Sequence, residues 1–184
     1  RHYAEKHGFR EDVKNKTIDL LRIASMLHDV GKVAISDSIL KKKGRLDPKE
    51  HNKMKCHTIF GARLFKDSNS EWDDMASEIA LNHHEKWDGS GYPGNIPDIF
   101  DIKRPITKNS GKKGDEIPLT ARIVALADVY DALMSRRSYK DSWPEAKVLD
   151  LIHSQKEKHF DPDIVESFFD IYDVIKAIKI KYAS

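Results

Sequence analysis

The stretch IDLLRIASMLHDVGK, residues 18–32, places an apolar side chain at every third position, Ile18, Leu21, Ala24 and Leu27, and then interrupts the stripe with His28 and Asp29. Steps of three keep one face of a helix apolar, so the stretch reads as a core-facing helix that aims an imidazole and a carboxylate inward at its end. Gly31 is where such a helix is expected to stop, in a left-handed cap. The same period recurs downstream. Asp47-Pro48 has the chemistry of a helix start and leads to Met54, His57, Gly61 and Leu64 along one side. Ser70 to His84 reads as a helix with Met75, Ile79 and His83 four residues apart, and helical pattern returns at Leu119 to Ser135, Pro144 to His159 and Pro162 to Lys181. No segment alternates at period two. The chain is therefore expected to be all-α, a bundle of five to seven helices with a long irregular loop, rich in Gly and Pro, from Lys86 to Pro118.

A length of 184 residues and a mass of 21.1 kDa fit one domain. Hydrophobic residues at 39%, charged residues at 34% and a mean hydropathy of -0.62 describe a well-solvated globular chain rather than a disordered one. Thirty-two Lys and Arg against 30 Asp and Glu leave a formal charge of +2, too balanced for DNA binding by bulk charge, so any anion site must be local. The single Cys56 excludes an intramolecular disulfide and suits a reducing compartment. The opening RHYAEKHGFR lacks the apolar core of a secretion signal, and no apolar run approaches the roughly 18 residues of a membrane helix, so the expectation is a cytoplasmic protein that engages no membrane.

Nine His are the unusual count. His28 with Asp29, His57, His83 with His84, and Asp128 each interrupt an apolar helical face that should be core. One inward His is ordinarily a hydrogen-bonded core residue; an inward Asp is costly unless paired or coordinated. Together, from four helices, they point to a metal site built inside a bundle. An imidazole beside a carboxylate, as in His28-Asp29, can serve one ion with nitrogen and bridge to a second with oxygen, the two-metal arrangement suited to phosphoryl displacement. Nitrogen and oxygen donors without thiolate favour iron, manganese or zinc over softer metals. Cys56 and His57 are helix neighbours that point about 100 degrees apart and do not make a nucleophile and base. Trp72, Trp87 and Trp143 read as packing residues, with Trp87 in the loop the one to watch.

HDVGK at 28–32, HHEKWDGSGYP at 83–93 and ADVYDALMSRRSYK at 127–140 resemble the HD-GYP family of bacterial cyclic di-GMP phosphodiesterases, a branch of the HD superfamily of metal-dependent phosphohydrolases. The resemblance runs from about residue 17 to about 168, and HHEKWDGSGYP makes it specific to that branch. It implies an HD-domain helical bundle over 1–184. It implies metal ligation by His28, Asp29, His57, His83, His84 and Asp128, with Asp29 and Lys32 in catalytic roles and iron or manganese ahead of zinc. Arg137 and Lys140 would face the substrate phosphates, and Gly91, Tyr92 and Pro93 would stand beside the site, toward guanine or a partner. The implied reaction is metal-dependent opening of cyclic di-GMP to linear pGpG, with a second step to GMP left open. The implied partners are diguanylate cyclase GGDEF domains at the GYP turn and a sensory or receiver domain outside this chain.

Three departures qualify the resemblance. The family supplies a His, and for a third metal a Glu, from a helix upstream of HDVGK; counting back runs off the start of this chain, and His2 and His7 lie too close to His28. The expectation is an excised domain that lacks one or two ligands, or a natural member with an altered site, with slow or absent turnover. The family also passes from GYP to G-x-x-IP in a few residues, whereas here about 20 residues separate Pro93 from Gly114. The inserted stretch, 95–113, carries Lys103, Arg104, Lys108, Lys112 and Lys113, and from Lys103 to Lys113 it contains no acid. It reads either as a solvated loop or as a basic lid that attracts an anionic dinucleotide. Third, Arg137-Ser138-Tyr139 stands for Arg-Pro-Tyr. Two rival readings remain open from sequence: a non-catalytic module that binds a nucleotide or a partner, and an HD hydrolase for another nucleotide.

Overall fold

Apolar residues at helical spacing become helices along most of the chain. The computed structural model describes residues 1–9, 11–66, 70–101, 111–135 and 142–182, with the side chains of 11–15 and of 182 outside that description. In chain order the helices are α1 (His2–Lys6), α2 (Glu11–Ala24), α3 (Asp37–Leu40), α4 (Pro48–Lys55), α5 (His57–Arg63), α6 (Glu71–Asn82), α7 (Leu119–Met134), α8 (Glu145–Ser154), α9 (Pro162–Asp170) and α10 (Tyr172–Tyr182). No β-strand occurs among the described residues. The all-α expectation holds, though the bundle is cut into more and shorter helices than five to seven.

Local chemistry sets several of the boundaries. Asp47 Oδ1 accepts the N–H groups of Lys49 (2.7 Å) and Glu50 (2.9 Å), and Glu50 Oε2 accepts the Asp47 N–H at 2.8 Å, a reciprocal cap that starts α4 at Pro48. Ser70 Oγ accepts the Asp73 N–H at 3.2 Å and caps α6. The Pro162–Lys181 pattern divides into α9 and α10 at Ile171, and α9 is capped by Asp161 Oδ1, which accepts from Asp163 N at 2.8 Å.

Helix α2 departs most from its sequence reading. Instead of running to a left-handed Gly31, α2 ends at Ala24 and is followed by two tight 3₁₀ turns, Ser25–Leu27 and Val30–Ala34. Gly31 does not take a positive φ. Its reason for being glycine is close approach: a Cβ there would run into the His57 carbonyl and the main chain of Gly61. That backbone-to-backbone contact seats the His28-Asp29 turn directly on the start of α5.

The core forms two clusters that share α7. Ala24, Phe65, Ala76, Ile79 and Val124 pack α2, α6 and the end of α5 against one side of it. Leu126, Tyr130, Val148, Ile152, Phe160, Ile164, Val165 and Phe168 pack α8 and α9 against another. Each fully buried aliphatic or aromatic side chain contributes about 1.5–3 kcal/mol by removal from water. With α7 held on two sides, Asp128 is fixed relative to α6 and the His28 turn. Among the described residues no helix is long and apolar enough to cross a membrane.

Candidate metal centre

Four elements deliver their polar side chains to one place: the turn after α2 (His28, Asp29), the first residue of α5 (His57), the C-terminal end of α6 (His83, His84) and the middle of α7 (Asp128). Donor atoms of Asp29, His57, His83 and His84 all lie within 4.8 Å of one another. His57 Nε2 is 3.3 Å and His83 Nε2 3.8 Å from Asp29 Oδ1, and the two Nε2 atoms are 3.4 Å apart. His28 Nε2 stands 3.5 Å from Asp29 Oδ2 and 3.7 Å from Asp128 Oδ1. The Asp29 carboxylate therefore faces both groups, one oxygen to each.

The tautomers follow from the partners. His57 Nδ1 is 2.7 Å from the Met54 carbonyl, His83 Nδ1 is 3.0 Å from the Ala80 carbonyl, and His28 Nδ1 is 2.8 Å from the Ser25 carbonyl. A carbonyl only accepts, so each Nδ1 carries the proton. In a neutral ring the Nε2 is then a bare lone pair. Burial keeps the inner rings neutral: it lowers the pKa of His57, takes that of His83 down to about 4, and pushes His84 far below the usual imidazole range, with neighbouring His adding to the last two. His28 moves the other way, raised chiefly by the Asp128 carboxylate, which is itself lowered by His28.

Acceptors thus converge on acceptors, and Asp29 Oδ1 is buried without a hydrogen-bond donor. Such an arrangement is costly unless a cation occupies the centre. Three imidazoles with their outer nitrogens tied to main-chain carbonyls are a metal-ligand set with its supporting hydrogen bonds in place. The donor set fits a divalent metal ion at His57, His83, His84 and Asp29, with His28, Asp128 and the second Asp29 oxygen available for another.

The six residues predicted as ligands from sequence are all brought together. Lys32 Nζ makes an ion pair with Asp29 Oδ2. Arg137 and Lys140 lie outside the described residues, as do Lys103, Arg104 and Lys108. Gly91 and Pro93 are buried; a Cβ on Gly91 would collide with the Glu85 and Lys86 main chain. The Tyr92 ring stacks on His84 at 4.9 Å between centroids, and Lys55 Nζ lies over the same ring at 5.1 Å. His2 bonds to Asp170 and His7 stacks on Tyr3, so both are engaged away from the cluster. Trp87 is a packing residue, with the Arg122 guanidinium 5.5 Å over its ring.

Sequence reasoning passed over Glu85. Only 2% exposed, its carboxylate accepts the Gly94 N–H at 2.5 Å and the Lys112 N–H at 3.0 Å, closing the two ends of the inserted stretch on one side chain. Burial raises its pKa against the lowering effect of those two bonds. The only available signal was an acid directly after two inward His.

Residues 1–133 match the HD domain family model, and residues 108–164 match a second HD domain model. Over 177 residues the chain is 40% identical to the 3'3'-cGAMP-specific phosphodiesterase 2 of Vibrio cholerae, an alignment covering 96% of this chain and 31% of that protein. It is 42% identical over 151 residues to a cyclic di-GMP phosphodiesterase of Thermotoga maritima, covering 82% of this chain and 37% of the other. The chain thus spans about a third of the length of these curated relatives. A crystal structure of a cyclic GMP-AMP-specific phosphodiesterase of Vibrio cholerae shares the fold, with a TM-score of 0.61 at 17% identity over 97% of this chain and 42% of that one.

Proposed function

Because this chain belongs to the HD domain family, and within it to the HD-GYP branch, we propose that it hydrolyses cyclic di-GMP to linear pGpG in a metal-dependent reaction. The observation that carries this reading is the convergence of the His57 and His83 Nε2 atoms on the partnerless Asp29 Oδ1. Asp29, His57, His83 and His84 would hold one ion, and His28, Asp128 and the outer Asp29 oxygen a second. A divalent ion bound there supplies Lewis acidity toward a phosphodiester and lowers the pKa of water. The absence of thiolate from the set favours iron, manganese or zinc over softer metals, and the resemblance to the HD-GYP branch puts iron or manganese ahead of zinc.

The chain's own residues do the rest. The main-chain carbonyls of Ser25, Met54 and Ala80 hold three imidazoles in the ligating tautomer. Asp29 joins the two groups of donors through one carboxylate. In this reading Lys32, which pairs with Asp29, would neutralise a nonbridging phosphate oxygen and protonate the departing 3′-oxygen. Arg137 and Lys140 take the second phosphate in this reading, supported by their place in the ADVYDALMSRRSYK motif. GGDEF domains at the GYP turn and a sensory or receiver domain are the partners that accompany it, within the cytoplasm where such nucleotides occur; the greater length of the relatives supports a multidomain protein.

A second substrate is favoured by the relatives named for 3'3'-cGAMP. The relative aligned over 96% of this chain is named for 3'3'-cGAMP, so the guanine-adenine dinucleotide competes as substrate. The test is to load the purified chain with Mn²⁺ or Fe²⁺, supply each dinucleotide separately, and resolve products by ion-exchange chromatography. Chelator-sensitive appearance of pGpG is expected. Nucleotide binding without any linear product from either substrate would overturn the hydrolase in favour of a binding module.

A further inference from the structure

Three of the site imidazoles are oriented by main-chain carbonyls, and His84 is not. Among the described residues no carbonyl takes a proton from its ring. His84 instead packs among rings: His83 at 4.0 Å between centroids, His57 at 5.1 Å, and, from outside the ligand set, Tyr92, stacked at 4.9 Å with an interplanar angle of 29°. Tyr92 is in turn fixed from both sides along the chain. Its N–H donates to the His84 carbonyl at 3.2 Å, Gly91 fits against the Glu85 main chain only because it lacks a Cβ, and the next residue after Pro93, Gly94, donates to Glu85 Oε1 at 2.5 Å. Glu85 Oε2 is held by Lys112 N, and Lys112 Nζ reaches back to Asn82 Oδ1 at 2.7 Å on the last turn of α6.

We infer that Tyr92 is a positioning residue that sets the His84 ring through this stack, and that Glu85 holds the turn carrying it. This rests on the reading of the cluster as a metal site. It reassigns Tyr92 from the substrate-facing role its motif implies: one ring face lies against His84 and Lys55 lies over the ring, so the π surface is engaged before any guanine arrives. A buried carboxylate bonded to two main-chain N–H groups is a strong fastener, because its charge-assisted bonds are roughly twice as strong as neutral ones. Residues that orient metal ligands from behind typically change metal affinity about 10–100-fold when lost.

The experiment is a Mn²⁺ titration of the metal-depleted chain, followed by the loss of free Mn²⁺ signal in electron paramagnetic resonance, on wild type, Tyr92→Phe, Tyr92→Leu and Glu85→Gln. Tyr92→Leu should raise the Mn²⁺ Kd about 10-fold or more, whereas Tyr92→Phe, which keeps the stacking ring, should restore it to within about threefold of wild type. Glu85→Gln, which can accept only one of the two N–H groups, should move Kd the same way as Tyr92→Leu. A wild-type Kd in folded Tyr92→Leu, or an equal loss in Tyr92→Phe, overturns the stack; a wild-type Kd in Glu85→Gln overturns the fastener and decides the matter alone if Tyr92→Leu does not fold. If instead both Tyr92 variants keep Mn²⁺ affinity and raise KM for cyclic di-GMP, Tyr92 contacts substrate. The Mn²⁺ readout needs no turnover, so a chain that hydrolyses neither dinucleotide would sink the proposed function and leave this inference standing or falling by itself.

Discussion

His57 and His83 point their Nε2 atoms at each other across 3.4 Å while each gives its Nδ1 proton to the carbonyl three residues before it. Two lone pairs do not attract, and Asp29 Oδ1 adds a third acceptor 3.3 Å from one of them. The electrostatics of the centre are those of a socket for a cation.

That geometry makes Asp29 the residue whose loss matters most. Asp29→Ala should abolish metal content and hydrolysis together, a larger effect than the roughly 10–100-fold typical of an outer hydrogen-bond partner. Asp128→Ala should remove about half of the bound metal, because Asp128 faces only the His28 side. Metal analysis by inductively coupled plasma spectrometry checks both; unaltered metal in the two variants would defeat the shared site.

Gly31 predicts a coupled loss of stability and metal. Gly31→Ala must push the His28-Asp29 turn off the His57 carbonyl and Gly61, and overpacking of this kind costs about 1–3 kcal/mol. Urea unfolding should show a lower midpoint, and metal content should fall with it. A normal midpoint would mean that the close approach is not rigid.

His159 gives a pH dependence at a residue that is not itself a candidate metal ligand, though Asp88 and Asp128 partly oppose its shift. Its imidazole stacks on Phe160 at 4.4 Å, and burial, with a lesser effect of Lys86, lowers its pKa to about 4. The unfolded chain takes up that proton near pH 6.5 and the folded chain only near 4, so stability is present above pH 6.5 and is lost as pH falls toward 4. The loss should approach about 1.4 kcal/mol per pH unit, on the order of 3 kcal/mol in total. In chelator, His159→Gln should lose correspondingly less stability than wild type between pH 6.5 and 4.5; parallel curves would show that His159 titrates normally.

The inserted stretch should be separable from the site. Gly94 N and Lys112 N meet on one Glu85 carboxylate, so deleting 95–110 and joining Gly94 to Gly111 should leave thermal stability and metal content near wild type. Lys103, Arg104 and Lys108 go with the deletion, and KM for cyclic di-GMP should rise at low salt and depend less on salt, with kcat nearly intact. An unchanged KM at low salt would make the stretch a solvated excursion.

The sequence by itself determined the helical class, the capped start of α4 and the six ligand-type residues, because periodicity and side-chain chemistry are local properties. His28, His57, His83 and Asp128 were legible as polar interruptions of apolar stripes, and no fold is needed to see an interruption. It misread Gly31 as a left-handed cap, since a glycine needed for torsion and one needed for close approach are the same letter. Only the packing against His57 and Gly61 distinguishes them. The motif resemblance set Gly91 and Pro93 beside the site, toward guanine or a partner, and the fold adds that both are buried in the turn; the sequence passed over Glu85, whose partners are main-chain N–H groups that no side-chain pattern announces. Which Nε2 faces which, and that one Asp29 oxygen is left without a donor, are relations among four separate elements; tertiary structure alone decides them, because hydrogen-bond direction depends on distances the sequence does not contain.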